Sequence, residues 1–287
     1  MIHASLSDLL TNGASTLAKG PVALILMEDA VEVDSTIRHH LDSGFRTVVA
    51  CGAADIPLAG DTIDKVERVH IDMLTPGALE AVVNGVIDVA QGQWIFYAYN
   101  AEYLFFPFCE TRTVGEMTTF SSEERRDNIL SYVVDLYAGD LNIHSNAVSM
   151  SDAHLDKSGY YALARKDRND DICERQLDFF GGLRWRFEEH VPPPRRRIDR
   201  ISLFRARPGL RLRADHTFNI AEYNTYACPW HNSLTAALCS FRTAKALKRN
   251  PGSAPHIKTF HWHNSTPFHW HSQQLLDLGL MEPGQWF

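Results

Sequence analysis

The chain has 287 residues, 45% hydrophobic and 22% charged, with a net charge of −7 and a pI near 6.0. This suits one large α/β domain or two small ones, and the acidic balance argues against a general nucleic-acid binder, which carries a basic surplus. No apolar stretch approaches the ~18 residues of a membrane span, the opening residues do not read as a secretion signal, and five scattered cysteines without a CxxC pair predict a soluble, cytoplasmic protein with reduced thiols.

The first third alternates two kinds of pattern. Pro21–Met27 is a continuous apolar run, the mark of a strand buried on both faces. Residues 30–43 read as a helix with Val33, Ile37 and Leu41 on one side, stopped by Gly44. Phe45–Cys51 is a second strand, leading into the loop Gly52–Asp55, and Val66–Ile71 a third. Pro76 opens a helix to Gln91, and Trp94–Tyr99 is a fourth strand. Strand–helix alternation of this kind predicts a mostly parallel central sheet flanked by helices. Ligands of such sheets bind beyond the carboxyl ends of the strands, which marks Glu28-Asp29, Gly52–Asp55 and Asn100–Glu102 as a candidate site.

Farther on, Ser121 and Glu124 have the spacing of a capping box, and Leu130–Tyr137 has strand composition. Residues 150–200 read as loop-rich, with turns at Lys166–Asp171 and Pro192–Arg197. Ile201–Phe204 is a short strand, Ser233–Lys248 a helix ended by Asn250-Pro251-Gly252, and Lys258–His263 a strand. His271 begins an amphipathic helix through Leu275, Leu276 and Leu278. No dinucleotide-binding or P-loop glycine pattern is present, and no GxSxG.

Several stretches resemble bacterial family-2-like glycosyltransferases. Ile25–Ala30 and Ile37–Phe45 are similar to the segments that follow strand one and lead into strand two, with Met27 where the family has Asn. Trp94–Leu104 is similar to the tryptophan-led strand and its Asp-x-Asp-Glu-Phe motif, with Asn100 and Glu102 in the Asp positions. Thr259–Ser265 resembles a C-terminal His-Tyr-x-x-x-Ser segment, and Phe180–Arg186 and Leu203–Gly209 resemble acceptor-side segments.

The resemblance implies a single domain over 1–287 with a GT-A-type fold, 1–104 binding the nucleotide-sugar and 105–287 forming the acceptor side. It implies transfer of a sugar from a nucleotide-sugar donor to an acceptor hydroxyl. Glu28 and Asp55 then hold the nucleotide, and Asn100, Glu102 and His263 ligate a divalent cation, Mn or Mg, that offsets the charge of the leaving diphosphate. Arg184, Arg186 or Arg205 could add positive charge. Asp178 or Asp215 is the candidate base, with Glu188 and Glu189 as competitors.

Each of these has a plainer reading. Asn100–Glu102 could be a polar turn, Asp215 a surface turn, and the Pro192–Arg197 run a solvated loop. The pairs His261/His263 and His269/His271 could serve a metal or simply donate hydrogen bonds at a sheet edge. Two rival functions follow: a degenerate relative that binds sugar nucleotides without catalysis, and a histidine-based metal hydrolase.

Overall fold

The computed structural model describes residues 1–228 and 231–286. In chain order its elements are β1 (Ile2–His3), α1 (Leu6–Asn12), α2 (Ala14–Leu17), β2 (Val22–Met27), α3 (Val33–Asp42), β3 (Thr47–Gly52), α4 (Gly60–Ile63), β4 (Glu67–His70), α5 (Ala78–Val89), β5 (Trp94–Tyr99), β6 (Glu102–Phe105) and α6 (Val114–Glu123). There follow β7 (Asn128–Asp135), β8 (Tyr137–Ala138), β9 (Ala153–Asp156), β10 (Tyr161–Lys166), β11 (Ile172–Phe180), α7 (Gly182–Arg186), β12 (Asp199–Arg205), β13 (Ala236–Ser240), α8 (Arg242–Arg249), β14 (Ser265–Pro267) and α9 (Ser272–Asp277). No helix among the described residues is long and apolar enough to cross a membrane.

The chain forms two compact units, each drawn from separate stretches. The first comprises Met1–Tyr103, Thr111–Leu130 and Ile201–Asn224. Its strands run in the order β1-β4-β3-β2-β5-β12. β1 through β5 are parallel, and β12 joins antiparallel to β5, with Leu203 opposite Phe96. The fold is thus α/β with a mostly parallel mixed sheet flanked by helices. β2 and β5 are buried at every position, as their unbroken apolar runs require. Full burial of a side chain such as Leu24 or Ile25 contributes ~1.5–3 kcal/mol. Gly44 follows α3 with φ +91°, the left-handed stop expected of it.

The second unit comprises Leu104–Glu110, Ser131–Arg200 and Thr225–Phe287. It holds the strand order β7-β13-β6, with β7 and β13 parallel, the hairpin β10-β11, and a small sheet β14-β9-β8. Tyr137, Leu183, Ala244, Leu247, Ile257 and Phe260 form a core cluster there.

Four expectations are corrected. The capping box is not Ser121/Glu124, which end α6, but Thr113/Glu116, which begin it. Residues 150–200 are not mainly loop: they hold β9, β10, β11 and α7, and β10, being exposed, carries no burial periodicity to read. Ser233–Lys248 is not one helix. Ala236–Ser240 is a wholly buried strand, and only Arg242–Arg249 is helical, the ambiguity inherent in a short apolar run. Lys258–His263 is not a strand: its amides turn to nearby hydroxyls, His261 N–H to Thr259 Oγ1 (2.9 Å) and Trp262 N–H to Ser265 Oγ (2.9 Å), so they are not available to a ladder. His271 is the N-cap of α9, its ring accepting from Gln273 N–H.

One buried histidine makes stability in the first unit depend on pH. His40 on α3 is fully buried, stacks on Phe96 and donates through Nδ1 to Thr36 O (2.7 Å), while Nε2 has no partner. Burial pulls its pKa down to about 3. The unfolded chain takes up a proton near the ordinary value of 6.5 and the native state does not. Stability is therefore unaffected above about pH 6.5 and falls as pH drops from there toward 3, by up to ~1.4 kcal/mol per pH unit from this residue. Between pH 7 and pH 4.5 the urea midpoint of the wild type should fall relative to that of His40→Leu as pH drops. Parallel profiles would show that His40 is not buried neutral.

Candidate functional site

The order β4-β3-β2-β5 reverses direction at β2. The chain leaving β2 crosses to β3 on one side, and β5 lies on the other. Such a reversal of strand order, a switch point, is where open parallel sheets form a ligand crevice. Here it is framed by Glu28-Asp29 after β2 and by Asn100 after β5, with Gly52–Asp55 at the end of the neighbouring β3.

Asn100 joins the two sides. Its Oδ1 accepts from Glu28 N–H (2.9 Å), and its Nδ2 donates to Asp29 Oδ1 and Val31 O (both 2.8 Å). This arrangement uses both ends of the amide and fixes its orientation. Asp29 Oδ1 also accepts from Val31 N–H at 2.9 Å. Ala101 and Glu32 adopt left-handed backbone, φ +62° and +53°. Ala101 N–H donates to Thr36 Oγ1 (2.9 Å), which in turn donates to Glu32 O. Two non-glycine residues held in that conformation cost of order 1–3 kcal/mol each, offset by this network.

Arg68, which sequence patterning passed over, supports the second loop from below. It is buried on β4, and its guanidinium donates to Ala53 O (2.5 Å), Ile56 O (3.3 Å) and Met27 Sδ (3.4 Å). Its signal in the sequence is a lone cation inside a strand. Asp55 lies exposed on the loop that Arg68 holds. β2 and β3 approach so closely at this end that a Cβ on Gly52 would stand 2.8–2.9 Å from Met27 side-chain atoms. No larger residue fits there.

Glu28, Asn100 and Glu102 thus lie together, but not as the sequence predicts. Glu102 is not at the mouth of a cleft: it is fully buried, and its Oε2 accepts from Tyr99 N–H (2.9 Å). The pair does not fit a divalent cation. The oxygen of Asn100 already takes an N–H, its amino group faces two acceptors, and the Glu102 carboxylate is turned inward to its own turn. His263 lies in the second unit, exposed, against the ring of Trp262 (4.6 Å). Among the described residues no group of three or more His, Cys, Asp or Glu is arranged to hold a metal ion.

The remaining candidates are engaged in other contacts. Asp178 accepts from Arg165 Nε (2.7 Å) and lies 3.2 Å from Arg197 Nε, in a network completed by Asp199. Asp215 Oδ1 accepts from Thr217 N–H (3.0 Å) and Oγ1 (2.7 Å), a local turn. Arg184 donates to Thr243 Oγ1 and Arg197 O, and Arg205 to Gly92 O. Arg186 pairs through Nη1 with both oxygens of Asp156 (3.1 Å each), donates to Phe260 O, and lies 4.4 Å over the Trp262 ring.

The buried carboxylates that sequence reasoning missed are Asp156 and Asp135. Asp156 also accepts from Tyr137 OH (2.6 Å) and Trp262 Nε1 (2.7 Å), so it is fully satisfied. Asp135 is not. Its Oδ2 accepts from Leu183 N–H (2.9 Å), its Oδ1 is buried without a partner, and burial raises its pKa. Neither residue belongs to a recognisable local motif. Each acquires its surroundings from chain far away in sequence. No protein-family model matches the chain, and no curated protein is similar enough to stand as a relative.

Proposed function

We propose that the chain binds a nucleotide-activated sugar and moves the sugar to an acceptor hydroxyl, as the glycosyltransferases it resembles do. In this reading the GT-A-type nucleotide site is the crevice between β2 and β5. The observation that carries it is the switch point itself, bordered by the carboxylates Glu28, Asp29 and Asp55. Carboxylates accept hydrogen bonds, and a nucleoside presents ribose hydroxyls and base N–H groups that donate them. The same residues would repel a bare diphosphate, so this crevice suits the nucleoside part of the donor. No step is assigned to a cation at Asn100 and Glu102.

One observation favours a second reading, a protein that binds the donor without turning it over. Asn100 has the position in which the glycosyltransferases that the chain resembles carry a metal-binding aspartate, and here its side chain joins two loops. Thermal melts with UDP-, GDP-, CMP- and dTDP-sugars, with and without manganese, test the shared binding step. The matching donor should raise the melting temperature as it saturates, and the rise should survive chelation. Glu28→Ala should reduce the shift. No shift with any of the four would remove both readings, and release of free sugar or nucleotide from the bound donor separates them.

A further inference from the structure

The second unit carries a group of residues that the nucleotide reading leaves unused. Asp135 ends β7 and is 1% exposed, yet its Oδ1 has no partner, and the hydroxyl of Tyr160 is likewise buried and unpartnered. An unmet buried polar group costs ~1–3 kcal/mol, so two in one place call for a ligand group or water. The charge of Asp135 acts on the Tyr160 hydroxyl, so the two lie in one neighbourhood, and consecutive glycines press against both side chains. A Cβ on Gly182 would stand 2.8 Å from Asp135 Oδ2, and one on Gly181 2.4 Å from the Tyr160 ring and 2.9 Å from Gly159 O. Both glycines have positive φ, +60° and +154°, so the backbone is pressed against these side chains where no other residue would fit.

Immediately outside lies an aromatic rim. The missing side chain of Gly159, φ +96°, would meet the Trp185 ring at 3.4 Å and the Trp262 ring at 4.0 Å. Trp185 is 43% exposed, unusual for so large an apolar group. Trp262 is held in place by its bond to Asp156 and by Arg186 over its ring. An exposed indole and a second, fixed one beside buried, unpartnered oxygens make an amphipathic surface. It matches a molecule with one apolar C–H face and hydroxyls at its edge. A flat hydrophobic protein contact would have no use for unpaired buried oxygens behind it.

We infer that the Gly159 turn, framed by Trp185 and Trp262 and backed by Tyr160 and Asp135, is a binding site for a pyranose ring. The C–H face of the sugar lies on Trp185, and a hydroxyl reaches the Tyr160 and Asp135 oxygens as Tyr160 adjusts. The inference uses only residues of the second unit and does not depend on nucleotide binding by the first.

The probes are the methyl glycosides of glucose, galactose, mannose and N-acetylglucosamine, measured by saturation-transfer NMR and calorimetry on the full chain. At least one should saturate with a millimolar Kd. Trp185→Ala should weaken it ~10-fold or more while the variant still unfolds cooperatively, since the residue is 43% exposed. Tyr160→Phe should weaken it several-fold with Tm unchanged or raised, since it removes a hydroxyl that has no partner. Absence of saturation at ~50 mM for all four probes, a millimolar site indifferent to Trp185→Ala, or a Tyr160→Phe variant of markedly lower Tm would each overturn the inference. So would self-association of the wild type that Trp185→Ala abolishes, which would make the rim a protein interface.

Discussion

Asn100→Asp should cost ~2–4 kcal/mol in urea unfolding at pH 7, although it changes only an amino group for an oxygen. The acid can still accept from Glu28 N–H. It cannot donate to Asp29 Oδ1 and Val31 O, and it sets a negative oxygen where the amide nitrogen stood, 2.8 Å from each. Two hydrogen bonds are lost, at ~1 kcal/mol each, and like charges are brought together in a buried turn. The new carboxyl should escape by protonating, so the deficit should shrink below about pH 5. The variant also places an aspartate where the resemblance to glycosyltransferases puts a cation ligand. If Asn100→Asp were as stable as the wild type, or were selectively stabilised by manganese, Asn100 would not join the loops and the cation reading would regain its footing.

Arg186→Met should be costlier still, ~3–5 kcal/mol, because it leaves a buried carboxylate without its counter-charge. Asp156 would retain Tyr137 OH and Trp262 Nε1 but lose both contacts to Arg186 Nη1, and Phe260 O would lose its donor. Methionine also removes the guanidinium carbon that lies over the Trp262 and Phe187 rings, so the loss combines the ion pair with that stacking. Adding Asp156→Asn should recover part of it, a coupling measurable in a double-mutant cycle. A loss below ~1 kcal/mol in the single variant would mean that Asp156 is not ionised or not enclosed. In that event Arg186 would again be free to meet a phosphate.

The strands of the first unit were legible because burial on both faces leaves an unmistakable mark. Val22–Met27 and Trp94–Tyr99 have no polar residue to confuse the pattern, and the glycine after α3 stands where its backbone angle requires. The position of Glu28-Asp29, Gly52–Asp55 and Asn100 at the carboxyl ends of these strands was legible for the same reason. What these residues do was not legible. A sequence shows Asn100 and Glu102 two positions apart but not that one faces Asp29 and the other its own turn. Ala236–Ser240 was misread because a short buried strand and a buried helical turn have the same composition. The Lys258–His263 segment was misread because hydroxyls at Thr259 and Ser265 compete for its amides, an effect with no periodicity. Asp135 meets Leu183, and Asp156 meets Arg186 and Trp262, across tens of residues of chain, beyond any local signal.

The piecewise make-up of the first unit bears on how the protein is born. β5 has β2 on one side as soon as it is made, but its other neighbour, β12, begins only at Asp199. During synthesis, the N-terminal sheet therefore emerges from the ribosome with a long apolar border uncovered until about a hundred further residues have been added. An uncovered border of that kind is a template for pairing with another chain. Pairing with another chain during that interval competes with completion of the sheet.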